Sequence, residues 1–202
     1  MKNSIFLLMA VILAFGFAFE GETITVKGSD TMVILAQRWA EVYMTKHPAV
    51  SIQVTGGGSG TGLSALINGT TDIANASRPM KRSEMDKLKQ RYSSLGVEVK
   101  VAKDGLSVNV NEASAVKALT IAQIRDIYTG KITDWKDVGG AQGKIILYSR
   151  ENNSGTYVFF KENVLENADF APRTQNLPGT ASVVHAVSRD KMGIGYGGAA
   201  YA

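Results

Sequence analysis

Two periodicities of apolar residues alternate along this chain. Short β-branched runs in which apolar and polar residues alternate predict strands, and longer segments with apolar residues three or four positions apart predict amphipathic helices. The strand patterns lie at residues 22–28, 50–55, 71–77, 144–150 and 193–198, with two further strand-like runs within 97–111. The helix patterns lie at residues 31–47, 63–69, 80–96, 120–130, 154–165 and 182–192. Strands that alternate with helices predict an α/β fold with parallel sheets and right-handed crossovers.

The amino terminus has a different pattern. Lys2 precedes an unbroken run of apolar residues and glycine at 5–19, which is shorter than the roughly 17–25 residues of a membrane-spanning helix. Gly16 and Ala18 are small residues two positions apart, so we expect a signal peptide, residues 1–18, that is cleaved after Ala18. An uncleaved membrane anchor is the alternative. The chain is therefore expected to be exported.

Composition and charge narrow the classes of function. With 45% hydrophobic and 20% charged residues, the chain has the composition of an ordinary globular protein. Its net charge of +4, or +3 without Lys2, is mild, and it has no basic run or aromatic platform for nucleic acid, so the charge favours small anions. The lack of cysteine excludes cysteine metal sites, thiol nucleophiles and a lipid anchor on an amino-terminal cysteine.

Four predicted strand-to-helix junctions carry hydroxyl side chains, glycine or arginine. They are "VKGSDTMV" (26–33), "VTGGGSGTGL" (54–63), "IANASRPM" (73–80) and "LYSRENNSGTYV" (147–158). Ligands of open α/β sheets bind at the carboxyl ends of the strands, and helix amino termini attract anions. Gly57, Gly58, Gly60 and Gly155 allow the positive φ of a nest of N–H groups, and Arg150 offers a planar fork of donors. Each hydroxyl alone is typical of a helix N-cap, but the four junctions together predict an anion site.

Other functions of the glycine-rich loop, "VTGGGSGTG" at residues 54–62, are excluded by the spacing of its residues. A Walker loop requires lysine where Leu63 stands, and the glycine spacing of the dinucleotide-binding motif G-x-G-x-x-G matches no alignment of this loop. A nucleophile elbow requires glycine where Thr61 stands. A serine nucleophile would need a histidine base, and the chain has only two histidines, His47 and His185. Two isolated histidines do not make a metal site either. We therefore expect a binding protein without a cofactor, not an enzyme.

These motifs resemble those of the phosphate-binding proteins of phosphate ABC transporters. The resemblance covers residues 22–202, and it rests on "RENNSGTY" and "GGGSGTG", with support from "GSDT", "DIANASRP", "LTIAQIRDIYTGKITDWKDVGG" and "GIGYGG". It implies a two-lobed periplasmic binding protein of type II, in which each lobe is a mostly parallel sheet flanked by helices. Such lobes close on inorganic phosphate about a hinge, and the protein delivers it to permease subunits in the inner membrane.

The resemblance also implies roles for individual residues. Thr31 and the N–H of Met32 meet phosphate from the first helix, and Ser59 meets it from the glycine loop. The second lobe contributes Arg150, Ser154, Gly155 and Thr156. Together with the junction residues, the candidate phosphate ligands are Ser29, Asp30, Thr31, Met32, Ser59, Ser77, Arg78, Arg150, Ser154, Gly155 and Thr156.

Two positions depart from the family pattern. Members of the family have an aspartate where Ser77 stands, which accepts the proton of hydrogen phosphate, and an acid near the binding arginine where Asn152 stands. Such an acceptor rejects sulfate, which has no proton to donate, because the carboxylate is left unpaired and repelled. We expect Asp30 to replace that aspartate, or else to be an ordinary acid at a helix start. Arg78 either adds positive charge or holds the hinge side of the first lobe.

The Asp104-Gly105 turn between two extended runs is the expected crossing point between lobes. We therefore place the first lobe at residues 19–104 and the second at 105–202. The chain ends beside a predicted strand, and we expect that the tail with which longer family members complete the first lobe is missing. We expect a periplasmic or otherwise extracytoplasmic monomer that binds inorganic phosphate and no nucleic acid. The alternatives are a receptor for another tetrahedral oxyanion, such as sulfate or molybdate, and an exported phosphate-ester hydrolase.

Overall fold

The computed structural model describes residues 21–201, and the predicted signal peptide lies outside the described residues. The first of its two sheets has three parallel strands in the order β2-β1-β3. The strands are β1 (Glu22–Gly28), β2 (Val50–Thr55) and β3 (Ile73–Asn75), and the helices that follow them are α1 (Val33–Lys46), α2 (Ser59–Asn68) and α3 (Arg82–Tyr92). A 3₁₀ turn, Asp30–Met32, joins β1 to α1.

The second sheet has four strands in the order β4-β7-β5-β6. The strands are β4 (Leu106–Val110), β5 (Ile146–Arg150), β6 (Gln175–Leu177) and β7 (Gly193–Gly198). The helices are α4 (Ile121–Tyr128), α5 (Gly155–Asn163) and α6 (Gly179–Arg189), with 3₁₀ turns at Trp135–Val138 and Ala199–Tyr201. β5 is parallel to β6 and β7, whereas β4 is antiparallel to β7. Both sheets are therefore mostly parallel, as the alternation of patterns predicts.

Local sequence signals set several helix boundaries. At the start of α4, the hydroxyl of Thr120 accepts from the N–H of Gln123, whose side chain accepts in turn from the N–H of Thr120, which is a capping box. The hydroxyl of Ser154 caps α5 in a similar way. α2 ends at Gly69, whose φ of 72° lies in the left-handed region that favours glycine. Capping chemistry thus begins or ends these helices near the positions that the sequence predicts.

The main apolar core lies against the second sheet. The rings of Phe160 and Tyr196 stack with centroids 3.8 Å apart, and Tyr128 meets Phe160 edge-on at 4.8 Å. The indole N–H of Trp135 donates to the carbonyl oxygen of Met192 at 2.9 Å, which satisfies its polar group inside the core. This packing gives β5 and β7 a rigid support below the site described in the next subsection.

The first sheet has a smaller apolar core. The buried residues of α1 are Ala36 and Ala40, whereas Trp39, Val42 and Tyr43 on the same helix are each 44% exposed. α1 therefore packs on its sheet through small side chains and keeps its larger apolar residues at the surface. None of the helices within residues 21–201 has the combination of length and apolar character that crossing a bilayer requires.

Three elements differ from the sequence predictions. The alternating run at residues 97–103 forms no strand: it pairs with no strand among the described residues, and Val97 and Val99 are 93% and 70% exposed. Helix α2 begins at Ser59, earlier than predicted, so the glycine-rich loop supplies its first turn. β6 is not predicted by the sequence pattern, because "QNL" contains no β-branched residue.

The two sheets use separate parts of the chain. The strands of the first sheet lie within residues 22–75, and those of the second lie within residues 106–198. This division supports a lobe boundary near Asp104-Gly105, which stays a prediction.

Candidate anion-binding site

An ion pair connects the carboxyl ends of two strands, one from each sheet. Asp30 follows β1, and Arg150 is the last residue of β5. Nη2 of Arg150 donates to Oδ2 of Asp30 at 2.7 Å, with the arginine side chain 1% exposed and the aspartate side chain 19% exposed. The two lobes thus meet at a buried arginine paired with a partly exposed aspartate, located where open α/β sheets bind their ligands.

Arg150 keeps hydrogen-bonding capacity beyond this ion pair. Its Nη1 donates to the hydroxyl oxygen of Thr180 at 2.6 Å, and within residues 21–201 its buried Nε has no hydrogen-bond partner. A guanidinium has five N–H donors, and buried donors are nearly always paired. Burial lowers the pKa of Arg150 and the charge of Asp30 opposes that shift, but the group stays protonated at any physiological pH. The result is a desolvated cation with unused donors.

Asp30 holds the glycine-rich loop as well as Arg150. Its Oδ1 accepts from the N–H of Gly57 at 2.9 Å, and a side chain at Gly56 would collide with that same oxygen. The hydroxyl of Tyr201 donates to the carbonyl oxygen of Asp30 at 3.0 Å. An ionised carboxylate has about four acceptor positions, so one hydrogen bond on each oxygen leaves room for a further donor.

Hydroxyl groups from both lobes surround the start of α5. The hydroxyl oxygens of Thr31 and Thr156 lie 3.0 Å apart across the lobe boundary. The hydroxyl oxygen of Ser59 lies 3.3 Å from that of Ser77 and accepts from the N–H of Ser77 at 3.1 Å. A Cβ atom at Gly155 would lie 2.6 Å from the hydroxyl oxygen of Ser59, so α5 approaches this pair closely because residue 155 is glycine. These hydroxyls form a neutral set of donors beside the charged pair.

The amino terminus of α5 lies beside these hydroxyl groups and is capped by Ser154. Ser154, 2% exposed, uses its hydroxyl oxygen to accept from the N–H groups of Thr156 and Tyr157 at 3.2 and 3.4 Å. Its acceptor capacity is therefore directed to the helix, while its O–H proton stays available as a donor. The positive end of the helix dipole adds to the attraction for an anion.

The glycine-rich loop differs from the nest of N–H groups that the sequence predicts. Gly57 and Gly58 have φ of 113° and 88°, as predicted. Gly60 and Gly155 are not among the glycines with positive φ, so the prediction of a positive φ is wrong at these two positions. The N–H of Gly60 donates to the carbonyl oxygen of Asn153 at 2.9 Å, just as that of Gly57 donates to Asp30. Two of the glycine N–H groups therefore bind protein oxygens instead of facing an anion.

Three predicted ligands make contacts of a different kind. Ser29 is buried, its N–H donates to the carbonyl oxygen of Asn75 at 2.9 Å, and its own carbonyl accepts from the N–H of Met32 at 3.1 Å. Arg78 forms a bidentate pair with Glu84, with donor–acceptor distances of 2.7 and 2.8 Å and its side chain 8% exposed. Burial raises the pKa of Glu84, but the hydrogen bonds from Arg78 and from a backbone N–H lower it overall. Arg78 thus holds α3, and its charge is already balanced.

Two residues of this region are not predicted by the sequence. Thr180, 1% exposed, binds Arg150 from the start of α6, and Asn153 binds the glycine-rich loop. Thr180 follows β6 in "NLPGT", which is a fifth strand-to-helix junction with a hydroxyl residue. The Pro-Gly-Thr sequence before a helix would indicate this junction once the weak strand is known. No cluster of three histidine or acidic side chains that could hold a metal ion lies within residues 21–201.

Comparisons with known proteins show which family the chain resembles. A family model described as a PBP superfamily domain matches residues 18–202. The chain is 37% identical over 186 residues to the phosphate-binding protein PstS of Pseudomonas aeruginosa, an alignment that covers 86% of this chain and 58% of that protein. It is 35% identical over 175 residues to PstS of Staphylococcus epidermidis, covering 85% and 53%. The chain therefore spans a little more than half the length of these curated relatives.

Solved structures confirm the predicted fold class, a two-lobed binding protein with mostly parallel sheets flanked by helices. A protein of Clostridium perfringens, assigned as a phosphate ABC transporter substrate-binding protein and solved with bound phosphate, superposes with a TM-score of 0.81 at 34% identity, covering 90% of this chain and 72% of that one. An ABC-type phosphate transport receptor of Vibrio cholerae superposes with a TM-score of 0.62 at 31% identity, covering 89% and 72%.

Proposed function

The chain belongs to the PBP superfamily and, within it, to the substrate-binding proteins of phosphate ABC transporters, and from this we propose that it binds inorganic phosphate between its two lobes. The proposed ligands are the donors around the boundary between the lobes. They are Thr31, Ser59, Ser77, Arg150, Ser154, Gly155 and Thr156, with Asp30 as the acceptor and with Ser29, Met32 and Arg78 in supporting positions.

One observation carries this proposal. Arg150 is a buried cation whose Nε has no partner within the described residues, and it lies beside hydroxyl groups from both lobes. A guanidinium binds tetrahedral oxyanions through parallel N–H···O bonds, and charge-assisted bonds of this kind are the stronger ones. Burial of the anion between closed lobes would exclude water and strengthen each of these bonds.

The carboxylate of Asp30 would make the site prefer phosphate to sulfate. Because its carboxylate lies 2.7 Å from the guanidinium of Arg150, an anion bound to the arginine would also face the carboxylate. Hydrogen phosphate can donate its proton to that carboxylate, whereas sulfate has no proton to give. We therefore assign to Asp30 the acceptor role that an aspartate has at the position of Ser77 in other members of the family.

A receptor for another tetrahedral oxyanion is the second candidate. It is favoured by Ser77 and Asn152, which are neutral at the two positions where an acid is expected. If Asp30 acts as a structural partner of Arg150 and not as a proton acceptor, the neutral hydroxyl donors would bind sulfate about as well as phosphate.

The names of two relatives support a role in transport. The protein solved from Clostridium perfringens is assigned to a phosphate ABC transporter, and the one from Vibrio cholerae is described as a transport receptor. We propose that this chain acts outside the cytoplasmic membrane as a monomer, gives phosphate to permease subunits and catalyses no turnover of phosphate esters.

The direct test is to remove the guanidinium. Arg150→Met should weaken phosphate binding at least about 100-fold, because two charge-assisted hydrogen bonds at about 1.5–3 kcal/mol each are lost. Arg82→Met is the matched control, because Arg82 is 86% exposed and pairs with Asp86 on the surface of α3. Calorimetric titration of both variants with phosphate, after their folding is checked by circular dichroism, decides the matter. Equal phosphate affinity in the two variants would refute the proposed site.

A further inference from the structure

Asn153 connects the two lobes without being among the proposed anion ligands. It lies in the turn between β5 and α5, and its side-chain Nδ2 donates to the carbonyl oxygen of Gly57 at 3.0 Å and to the hydroxyl oxygen of Thr61 at 3.1 Å. Its backbone carbonyl accepts from the N–H of Gly60 at 2.9 Å. One residue of the second lobe therefore makes three hydrogen bonds to the glycine-rich loop of the first.

The glycine-rich loop is shaped to allow this contact. A Cβ atom at Gly58 would lie 3.0 Å from the carbonyl oxygen of Asn153 and 3.1 Å from its side-chain Cγ, and one at Gly60 would lie 3.2 Å from the same carbonyl oxygen. These separations are tighter than ordinary van der Waals contacts, and Gly58 also has a φ of 88° that favours glycine. Gly58 and Gly60 thus let Asn153 approach the loop. This contact explains why these two positions are glycine, which anion binding does not.

The bonding of Asn153 is also incomplete. Within residues 21–201 its Oδ1 is buried without a hydrogen-bond partner, although its Nδ2 has two. An unpaired buried acceptor costs free energy, and this cost offsets part of what the two donated bonds contribute. A contact of this kind can hold the lobes together and still open, as a receptor that releases its ligand requires.

We propose that Asn153 is a closure latch, a positioning residue that stabilises the closed arrangement of the lobes without touching the anion. The proposal rests on the proposed function, because closing and opening around phosphate is what the latch would control. Because these bonds join the two lobes, opening the lobes would break them, and losing them should raise the rate of phosphate release and leave the rate of association nearly unchanged. Two neutral hydrogen bonds correspond to an increase in the dissociation rate of about tenfold.

The experiment compares Asn153→Ala with Asn68→Ala, which changes an exposed asparagine at the end of α2. Asn153→Asp is the second variant, because it keeps the shape of the side chain but replaces the donating amide by an acceptor that faces the carbonyl oxygen of Gly57. Phosphate dissociation is measured by stopped-flow fluorescence. We expect about tenfold faster release in Asn153→Ala, at least as large an effect in Asn153→Asp, and the parent rate in Asn68→Ala.

A second readout needs no phosphate. The chain has no cysteine, so Arg82→Cys and Glu162→Cys, both at exposed positions in different lobes, allow two spin labels to be attached specifically. The ligand-free distance distribution should shift to longer separations in Asn153→Ala and not in Asn68→Ala. An unchanged distribution in both Asn153 variants would overturn the latch. Failure of the unmodified chain to bind phosphate would overturn the proposed function instead. The ligand-free distances would still test whether Asn153 holds the lobes together.

Discussion

Replacement of Asp30 by asparagine tests how the site distinguishes phosphate from sulfate. The carboxylate accepts from the guanidinium of Arg150 at 2.7 Å on one oxygen and from the N–H of Gly57 at 2.9 Å on the other. Asparagine keeps the shape of the side chain and one acceptor oxygen, but it removes the charge. Arg150 would bind both anions, so the loss of its charged partner changes both affinities. The ratio of phosphate affinity to sulfate affinity therefore isolates the role of Asp30 as proton acceptor.

The expected change in that ratio follows from two effects. A hydrogen bond to a charged acceptor contributes about 1.5–3 kcal/mol and one to a neutral acceptor about 0.5–1.5, so phosphate binding should weaken about tenfold. Charge repulsion by the carboxylate acts on both dianions and cancels in the ratio, but only sulfate leaves the carboxylate acceptor unpaired, at a cost of about 1–3 kcal/mol. Removal of the carboxylate removes that cost and strengthens sulfate binding about tenfold relative to phosphate. The phosphate-to-sulfate ratio should therefore fall at least about 100-fold.

The assay is calorimetric titration of each anion at pH 8, where phosphate is mostly the dianion and matches sulfate in charge. Asp86→Asn is the control, because Asp86 is 59% exposed on α3 and its replacement makes the same change in net charge. A phosphate-to-sulfate ratio that stays within twofold of the parent value in Asp30→Asn would refute the acceptor role. Asp30 would then be a structural partner of Arg150.

Three further predictions concern the surroundings of the site. Gly155→Ala should weaken phosphate binding at least about tenfold in the same titration, because the new methyl group would meet the hydroxyl of Ser59; unchanged affinity would contradict the tight approach of α5. Thr180→Val should weaken phosphate binding about tenfold, because it removes the hydroxyl that positions Arg150, and it should not strengthen sulfate binding, because the Asp30 carboxylate remains. Thr180→Ser keeps the hydroxyl and should have the parent affinity. Glu84→Gln should lower the free energy of unfolding by about 1–2 kcal/mol at pH 7 in urea titrations. Since the folded pKa of Glu84 is lowered, its contribution is present above the unfolded pKa of about 4.3 and is lost as pH falls through the folded pKa, so an equal difference at pH 3 would contradict this reasoning.

The location of the site is readable from the sequence because it depends on local signals. Asp30 and Arg150 each follow a β-branched or apolar run and precede a helix pattern, and parallel strands bring such junctions to the same edge of a sheet. Ser154 is recognisable as an N-cap for the same reason. The sequence therefore predicts which junctions meet, although not which donors are left for a ligand.

The pairing within the site depends on tertiary geometry that the sequence does not carry. The "GGGSGTG" loop suggests an anion nest, but contacts with residues more than 25 positions away decide that Asp30 and Asn153 take two of its N–H groups. Arg78 is adjacent to Ser77 in a predicted junction, yet its guanidinium meets Glu84 six residues later. Thr180 is missed because β6 has three residues and no β-branched side chain.

The most direct test of the account is calorimetric titration of the chain from Phe19 onward with phosphate and with sulfate at pH 8. If the buried Arg150 and the adjacent Asp30 together hold hydrogen phosphate, one phosphate should bind per chain, and sulfate should bind at least about 1,000-fold more weakly. Comparable affinity for the two anions would contradict the acceptor role of Asp30 and leave a receptor for oxyanions in general. No binding of either anion by the folded chain would contradict the proposed site itself.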